Sequence, residues 1–473
     1  MKTYPLYLNG DFVTTEASLP VVNPATGEVA ARMSLVDRER VRVAIEDAHK
    51  AFNAWRSVSA KSRGELLLRI LDEVERRRAE IARVITLETG KPLSQSLGEV
   101  ATAVAHLHWF AEEARRAYGR VVPPMVNGKR HLVIKSPLGV IGAITSWDAP
   151  FALAVRKVGA ALAAGCTVVL KPSELTPLSA VALAECIDAA KSVPDLFQLV
   201  LAPAADVGQE FAGHPLCRKI SFTGSTGTAR QLISYSSRQL KPLLLALGGQ
   251  SPAIVFDDAD LYAAVDGVML AKFRNAGQFA LAASRICVQR GIYDRFVETL
   301  VSRVRELKIG DGLEDGVDLG PLQSRAAVVR AQEHVADAVL GGAKLLCGGN
   351  AVPGAGFFFE ATVLAGVARG SLCMQEEILA PIAPICAFDK EDDAIELANN
   401  SSHALGAYVF TRDLTRSFRL MDALEAGVIA INDGLPLTSQ APLGGTKLSG
   451  WGKELGTEGI EEFMETKHIS IGI

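Results

Sequence analysis

The sequence predicts an α/β protein built on a parallel, doubly wound sheet. Two observations carry this. Short apolar runs at Val140–Thr145, Thr167–Leu170 and Lys219–Phe222 are separated by helical stretches such as Leu178–Ala190. Strands that alternate with helices in this way make parallel sheets. Two of these runs also end in turns rich in hydroxyls and glycine or proline, the loops in which open α/β sheets hold ligands. At 473 residues the chain is too long for one core, so two or three lobes are expected.

The elements justify themselves in order. Val41, Ala44, Ile45, Ala48, Phe52 and Trp55 recur at helical spacing. A second helix is expected from about Lys61, with Leu67, Leu71, Val74, Ile81, Val84 and Ile85 on one face. It ends at Gly90-Lys91-Pro92, a capping glycine followed by a breaker. Arg120–Lys135 holds two β-rich runs around Asn127-Gly128, which reads as a hairpin. The last residues, His468–Ile473, read as a strand able to pair with an edge elsewhere, including one on another subunit.

Composition narrows the function classes. Apolar residues are 49%, charged residues 22%, and the net charge is −4, a balance that invites neither nucleic acid nor an anionic membrane surface. Cys166, Cys186, Cys217, Cys287, Cys347, Cys373 and Cys386 form no CxxC pair, so no zinc site and no disulfide framework is expected, and no metal at all. Met1–Pro5 lacks an apolar signal-peptide run, and no run elsewhere is long enough to span a bilayer. A cytoplasmic protein is the expectation.

Two strand-to-helix junctions look built for a dinucleotide. In the first, Val168 to Pro177, Thr176 is placed to cap the next helix with Pro177 at its first position, leaving Lys171 and Glu174 on the loop. A carboxylate there accepts from ribose hydroxyls and repels a 2′-phosphate, so Glu174 favours NAD over NADP. The bland reading of the pair is an exposed Lys–Glu contact. In the second, Thr223-Gly224-Ser225-Thr226-Gly227 presents backbone N–H groups at a helix start, suited to a phosphate. No GxGxxG is present, and the turn alone is a weak signal.

Together these segments resemble the aldehyde dehydrogenase superfamily, nearly end to end. The resemblance begins at Leu6-Tyr7-Leu8-Asn9-Gly10 and Asn23-Pro24-Ala25-Thr26-Gly27, and the chain is most similar to the succinate-semialdehyde dehydrogenase branch. Lys272-Phe273-Arg274-Asn275-Ala276-Gly277-Gln278, Ile309-Gly310-Asp311-Gly312 and Arg156 to Cys166 carry that finer likeness. The resemblance implies an aldehyde dehydrogenase-like α/β fold. Its parts would be an NAD-binding lobe (1–119 and 139–246), a catalytic lobe (247–445) and a β oligomerisation segment (120–138 and 455–473). It implies cofactor contacts at Ser146, Trp147, Lys171, Ser173, Glu174, Gly208, Gly224, Ser225, Leu247 and Glu377, and a homodimer or homotetramer acting on a small molecule. Arg156 and Arg274 would clamp a substrate carboxylate, as forked guanidiniums suit; Thr438 lies beside the position of the branch's serine. The opposing reading pairs Arg156 with an internal acid such as Asp148. His106-Leu107-His108 is a poor metal motif, because residues two apart face different sides of a helix.

The same resemblance exposes departures. The family's cysteine nucleophile falls on Ala280 and its glutamate base on Ala246; neither methyl group can attack an aldehyde or activate water. The asparagine that supports the oxyanion falls on Asp148, whose charge would oppose it. Three functions stay open. One is an NAD-dependent oxidoreductase that moves hydride without a covalent intermediate, with Asp148 as its base, on a hydrate, lactol, hemiaminal or amine derived from a carboxylated semialdehyde. The second is an inactive relative that binds NAD or a small acid. The third is a redox-neutral lyase or hydrolase, which nothing in the sequence favours.

Overall fold

The computed structural model describes residues 1–473. Two large sheets organise it. The first has eight strands in the order Gly450–Trp451, Leu243–Leu247, Cys217–Gly224, Val140–Ile144, Thr167–Lys171, Phe197–Leu199, Leu6–Leu8 and Asp11–Val13. Its five central strands are parallel; the pairings at both edges are antiparallel. Lys171 lies opposite Ile144, and Gly224 opposite Leu247. The two expected junctions therefore leave the same edge of the sheet. The second sheet has seven strands in the order Lys344–Cys347, Thr362–Ala365, Ile382–Phe388, Ala283–Gln289, Ser251–Val255, Gly406–Phe410 and Val428–Ile431.

Each sheet has its own apolar core. The helix Pro150–Ala164 is buried along its whole length, its apolar and small residues interrupted only by Arg156 and Lys157. The chain after Gly444 returns from the second sheet to the first. Gly450–Trp451 pairs with Leu243–Leu247, and the helix Gly456–Glu461 packs against Pro150–Ala164. A third, antiparallel sheet runs Met464–Gly472, Lys129–Pro137, Arg120–Val122. The C-terminal strand pairs residue for residue with Lys129–Pro137 of its own chain, and its other edge carries no strand. No helix is long and apolar enough to cross a membrane.

Two local expectations need correction, and a third is made specific. The helix expected from Lys61 to Gly90 is two, Ala60–Arg76 and Arg78–Thr89, broken at Arg77 (φ −104°, ψ 11°). Arg77 spends its guanidinium on Glu80 and Glu185 at that corner. The second junction's helix begins at Thr226, with Ser225 capping it by accepting from the Thr228 N–H. Thr176 does not cap the helix Leu178–Ala189. Its hydroxyl donates to the Trp147 carbonyl (3.3 Å), and the helix start is capped from a distance by Glu88. That fully buried carboxyl group, pushed up to about 8 by burial, accepts from the Leu178 N–H (2.7 Å), the Ser179 N–H (2.9 Å) and the Ser179 hydroxyl. Glu88→Ala is expected to cost about 1–3 kcal/mol in urea unfolding, because the first-turn N–H groups lose their acceptor inside the core. An unchanged midpoint would show that the helix start does not depend on Glu88.

Candidate functional site

The site is built around the turn Ser146-Trp147-Asp148-Ala149, between the strand Val140–Ile144 and the helix Pro150–Ala164. Three groups fix it. Glu99, buried on the helix Leu93–Glu113, accepts from the Phe151 N–H (2.9 Å) and the Ala152 N–H (3.2 Å), capping the next helix. Its other oxygen pairs with Lys91 at 2.6 Å. The Lys91 ammonium also donates to the Asp148 carbonyl at 2.6 Å, and the Asn275 amide donates to the same carbonyl at 3.2 Å. With its backbone held this way, Asp148 keeps its carboxylate for the cleft, where it accepts from the Ser146 hydroxyl.

Facing it is the segment Arg274–Ala280. Asn275, Ala276 and Gly277 have φ of 49°, 54° and 72°, three left-handed residues in succession. Only glycine accepts this freely, and a Cβ on Gly277 would meet the Ala380 carbonyl oxygen at 2.3 Å. The turn is enforced by side chains. Gln95 accepts from the Asn275 N–H, Asn275 donates to the Gln278 carbonyl, and Gln278 donates to the carbonyls of Asn275 and Pro321. Ala280, partly exposed, lies at its end; its carbonyl oxygen is 2.7 Å from where a Cβ on Gly249 would stand. Ala246 is also partly exposed, two residues before Gly248.

The expected cofactor residues gather at one edge of the first sheet. Lys171 is buried and pairs with the half-exposed Glu174 at 2.6 Å; burial holds its ammonium below the usual lysine range, and Glu174 opposes that. Ser173 binds the Leu175 N–H, and Gly224-Ser225 opens the eleven-residue helix Thr226–Ser236. Ser146, Trp147 and Leu247 follow or end neighbouring strands. Gly208 sits where two helices cross, since a Cβ there would meet Leu232 at 3.1 Å. Glu377 comes from the other lobe and accepts from the Gly249 N–H at 3.0 Å. Its carboxylate occupies the space a Gly248 side chain would need. Burial pushes Glu377 up to about 7, and nearby Asp148 adds to this. The donor set suits a dinucleotide: a helix N-terminus for phosphate, with Lys171 and carboxylates at 174 and 377 for ribose hydroxyls.

The expected substrate residues are not all brought together. Arg274 is largely buried, lies over the Phe279 ring (4.7 Å) and pairs with no carboxylate. Arg156 is committed elsewhere. It contacts Glu454 at 2.8 Å, while Lys157 holds the other Glu454 oxygen at 2.6 Å. The partner is thus an internal acid, but Glu454 and not Asp148. Burial works against the Glu454 charge, and Arg156 and Lys157 more than offset it, holding the carboxyl below its usual range. Thr438 points away from the site, exposed and bonded to Gln440; the loop instead turns Ser439 inward onto His106 (2.8 Å). His106 is buried and His108 exposed, as two residues of spacing on a helix dictates. Sequence reasoning missed Lys91, Glu99, Ser439 and Glu454. No local signal marked them, since Lys91 and Glu99 lie in a polar stretch, Thr86–Glu99, where charges are unremarkable.

The Glu454 pairings generate a stability test. Glu454→Ala would leave Arg156 and Lys157 buried without a counter-charge. A loss of about 3–5 kcal/mol in denaturant unfolding is expected, and a loss under about 1 kcal/mol would mean that the two cations are neutralised in another way.

Comparison with known proteins agrees with this architecture. Residues 12–469 match the aldehyde dehydrogenase family. The chain is 44% identical over 468 residues to the succinate-semialdehyde dehydrogenase [NADP(+)] of Escherichia coli (strain K12), covering 98% of this chain and 97% of that protein. It is equally similar, 44% over 468 residues with the same coverage, to a glutarate-semialdehyde dehydrogenase of Pseudomonas aeruginosa. A crystal structure of an NADP-dependent enzyme from E. coli superposes with a TM-score of 0.98 at 43% identity, covering 100% of this chain and 98% of that one. Two of these proteins are described by NADP, which corrects the expectation of NAD over NADP; a carboxylate at 174, already paired with Lys171, does not decide between them. From its sheets to its strand-end turns, this chain belongs to the aldehyde dehydrogenase family of oxidoreductases.

Proposed function

We propose that the protein is an NAD(P)-dependent oxidoreductase that works without a cysteine nucleophile, on a small carboxylate-bearing molecule of the semialdehyde type. The observation that carries this is Asp148, whose backbone carbonyl is held by Lys91 and Asn275 while its carboxylate is bonded only to the Ser146 hydroxyl. The family likeness puts a cysteine at 280 and a glutamate at 246; alanine stands at both. No other thiol replaces the first. Burial pushes Cys166, Cys186, Cys217, Cys347 and Cys373 up, and Cys287 and Cys386 face each other 3.5 Å apart within the second sheet.

When bound, the nicotinamide cofactor supplies the hydride acceptor. The chain's own residues do the rest. Arg274, a partly buried guanidinium without an acidic partner, holds the substrate carboxylate. Asp148 takes the O–H proton of a hydrate, lactol or hemiaminal as that oxygen becomes a carbonyl; with an amine it balances the charge of the forming iminium. Ser146 keeps the Asp148 carboxylate aimed. Relatives named for succinate and glutarate semialdehydes support a substrate of four or five carbons. The free edge of Met464–Gly472, with Ile469 and Ile471 exposed, supports pairing with a second copy as a homodimer or homotetramer.

Reduced-cofactor formation with hydrated semialdehydes, lactols and ω-amino acids tests the reading. Asp148→Asn is expected to lower kcat by about 100-fold or more, in line with the loss of a general base, and Ala280→Cys with Ala246→Glu to add ordinary aldehyde oxidation. No turnover by the unmodified protein, with activity only in the double variant, would instead support an inactive relative that kept its pocket. A second prediction concerns pH. Glu377 ionises near 7, and only its carboxylate form offers every oxygen to ribose hydroxyls. The cofactor Kd should therefore fall as pH rises through about 7, and Glu377→Gln should flatten the curve. Identical curves for the two proteins would remove Glu377 from the cofactor site.

A further inference from the structure

The chain crosses between the two lobes in a very short span. Leu243–Leu247 belongs to the first sheet and Ser251–Val255 to the second, so Gly248, Gly249 and Gln250 alone join them. The glycines leave room for groups that crowd the crossing. A Cβ on Gly248 would meet the Glu377 carboxylate at 2.5 Å, and one on Gly249 would meet the Ala280 carbonyl oxygen at 2.7 Å. Gln250 is the first residue of the crossing to carry a side chain, and that residue is buried.

Gln250 is anchored at both ends. Its backbone carbonyl accepts from Arg285 Nε (3.3 Å) and Nη2 (3.0 Å). The same guanidinium donates to the Leu397 (2.6 Å) and Ala398 (2.9 Å) carbonyls at the end of the helix Glu391–Asn399. The Gln250 side-chain oxygen accepts from the Ser401 hydroxyl at 2.9 Å. A primary amide fixed at its oxygen can aim its nitrogen in only one direction. That nitrogen donates to the Glu376 carbonyl at 3.2 Å. One residue earlier, the Gly249 N–H donates to the Glu377 carboxylate at 3.0 Å. Neighbouring residues of the crossing therefore grip Glu377 at its carboxylate and at the peptide just before it.

Glu377 needs such a hold. It lies outside any sheet, between the short helix Leu372–Gln375 and the strand Ile382–Phe388. The other contacts of its segment are weak. Glu376 pairs with Arg330 at the surface, where both side chains are exposed and water screens the charge. The Lys272 ammonium lies 3.4 Å from the Ile378 carbonyl, long for a hydrogen bond. We propose that Gln250 is a positioning residue for the cofactor: its amide sets the backbone from which Glu377 reaches the ribose hydroxyls. This rests on the reading of Glu377 as the ribose acceptor. The residue touches no reacting atom. It works because hydrogen bonds to a carboxylate weaken steeply once distance and angle drift, so the supporting shell decides whether the acceptor is in reach.

Calorimetric titration of the whole protein with NAD and with NADP tests this without need of turnover. Gln250→Met keeps the length and volume of the side chain but removes the donor. It should raise the Kd of the tighter dinucleotide by about 5-fold or more, the scale of one hydrogen bond to a charged group. It should also flatten the fall of Kd through about pH 7 that Glu377 confers. In a Glu377→Ala background the same change should cost less than half that factor, because no carboxylate is left to place. A smaller loss in the unmodified background would overturn the inference, and so would a pH dependence that survives Gln250→Met. An equal loss in both backgrounds would also overturn it, showing that Gln250 acts through the fold at large. If Glu377→Ala binds the dinucleotide as tightly as the unmodified protein, the ribose reading of Glu377 fails and the inference falls with it. Should Gln250→Met not fold, Gln250→Asn decides by the same comparisons, since its amide is one methylene too short to reach the Glu376 carbonyl.

Discussion

The carboxylate of Glu99 is the constraint on which the site depends. It caps the helix Pro150–Ala164 by accepting from the Phe151 and Ala152 N–H groups, and it holds the Lys91 ammonium that grips the Asp148 carbonyl. A buried carboxylate is tolerated only when its lone pairs are met by donors and its charge by a cation, and here both conditions hold. One group thereby ties together the first turns of Leu93–Glu113, the start of the most buried helix and the corner that carries Asp148. The position of that aspartate follows from groups distant in sequence, Lys91 and Asn275, that meet on its carbonyl.

The strands and most helices were legible because their signals are local. Apolar runs with turn residues at their ends marked Val140–Ile144, Thr167–Lys171 and Cys217–Gly224 within a few residues. The failures share one cause, which is a tertiary partner distant in sequence. Thr176 has the right chemistry for a cap, but Glu88, ninety positions earlier, reaches the Leu178 N–H first. Nothing near Arg77 breaks a helix by composition; its guanidinium is drawn to Glu185 on another helix. Arg156 has the right chemistry for a substrate clamp, but Glu454, on a segment that returns to the first lobe only after the second is complete, arrives there instead. Residue type announced the need for a partner in each case and could not say which partner would come.

The charges of the cleft follow from those pairings. Arg156 and Lys157 share Glu454, and burial lowers the Lys157 ammonium while Glu454 resists that. Arg274 forms no salt bridge and is stacked on Phe279. On the other side Glu377 is pushed up to about 7 by burial, with Asp148 near enough to contribute.

The backbone of Asn275–Gly277 bears on whether the cleft still works. Left-handed φ at two consecutive residues other than glycine costs of order 1–3 kcal/mol each. Nothing in a core of alanines and leucines needs that turn, and its Asn and Gln side chains are spent on enforcing it. Strain persists where the surroundings over-determine it, and over-determined turns gather where reacting groups must be placed. Here the enforced turn sets Asn275 on the Asp148 carbonyl and Arg274 beside Phe279. It supports the aspartate and the guanidinium, the two groups that the proposed reaction uses, even though the side chain at its end is a methyl group. A turn held at this cost fits the proposed site, which acts through Asp148, better than a cleft relaxing into a binding fold.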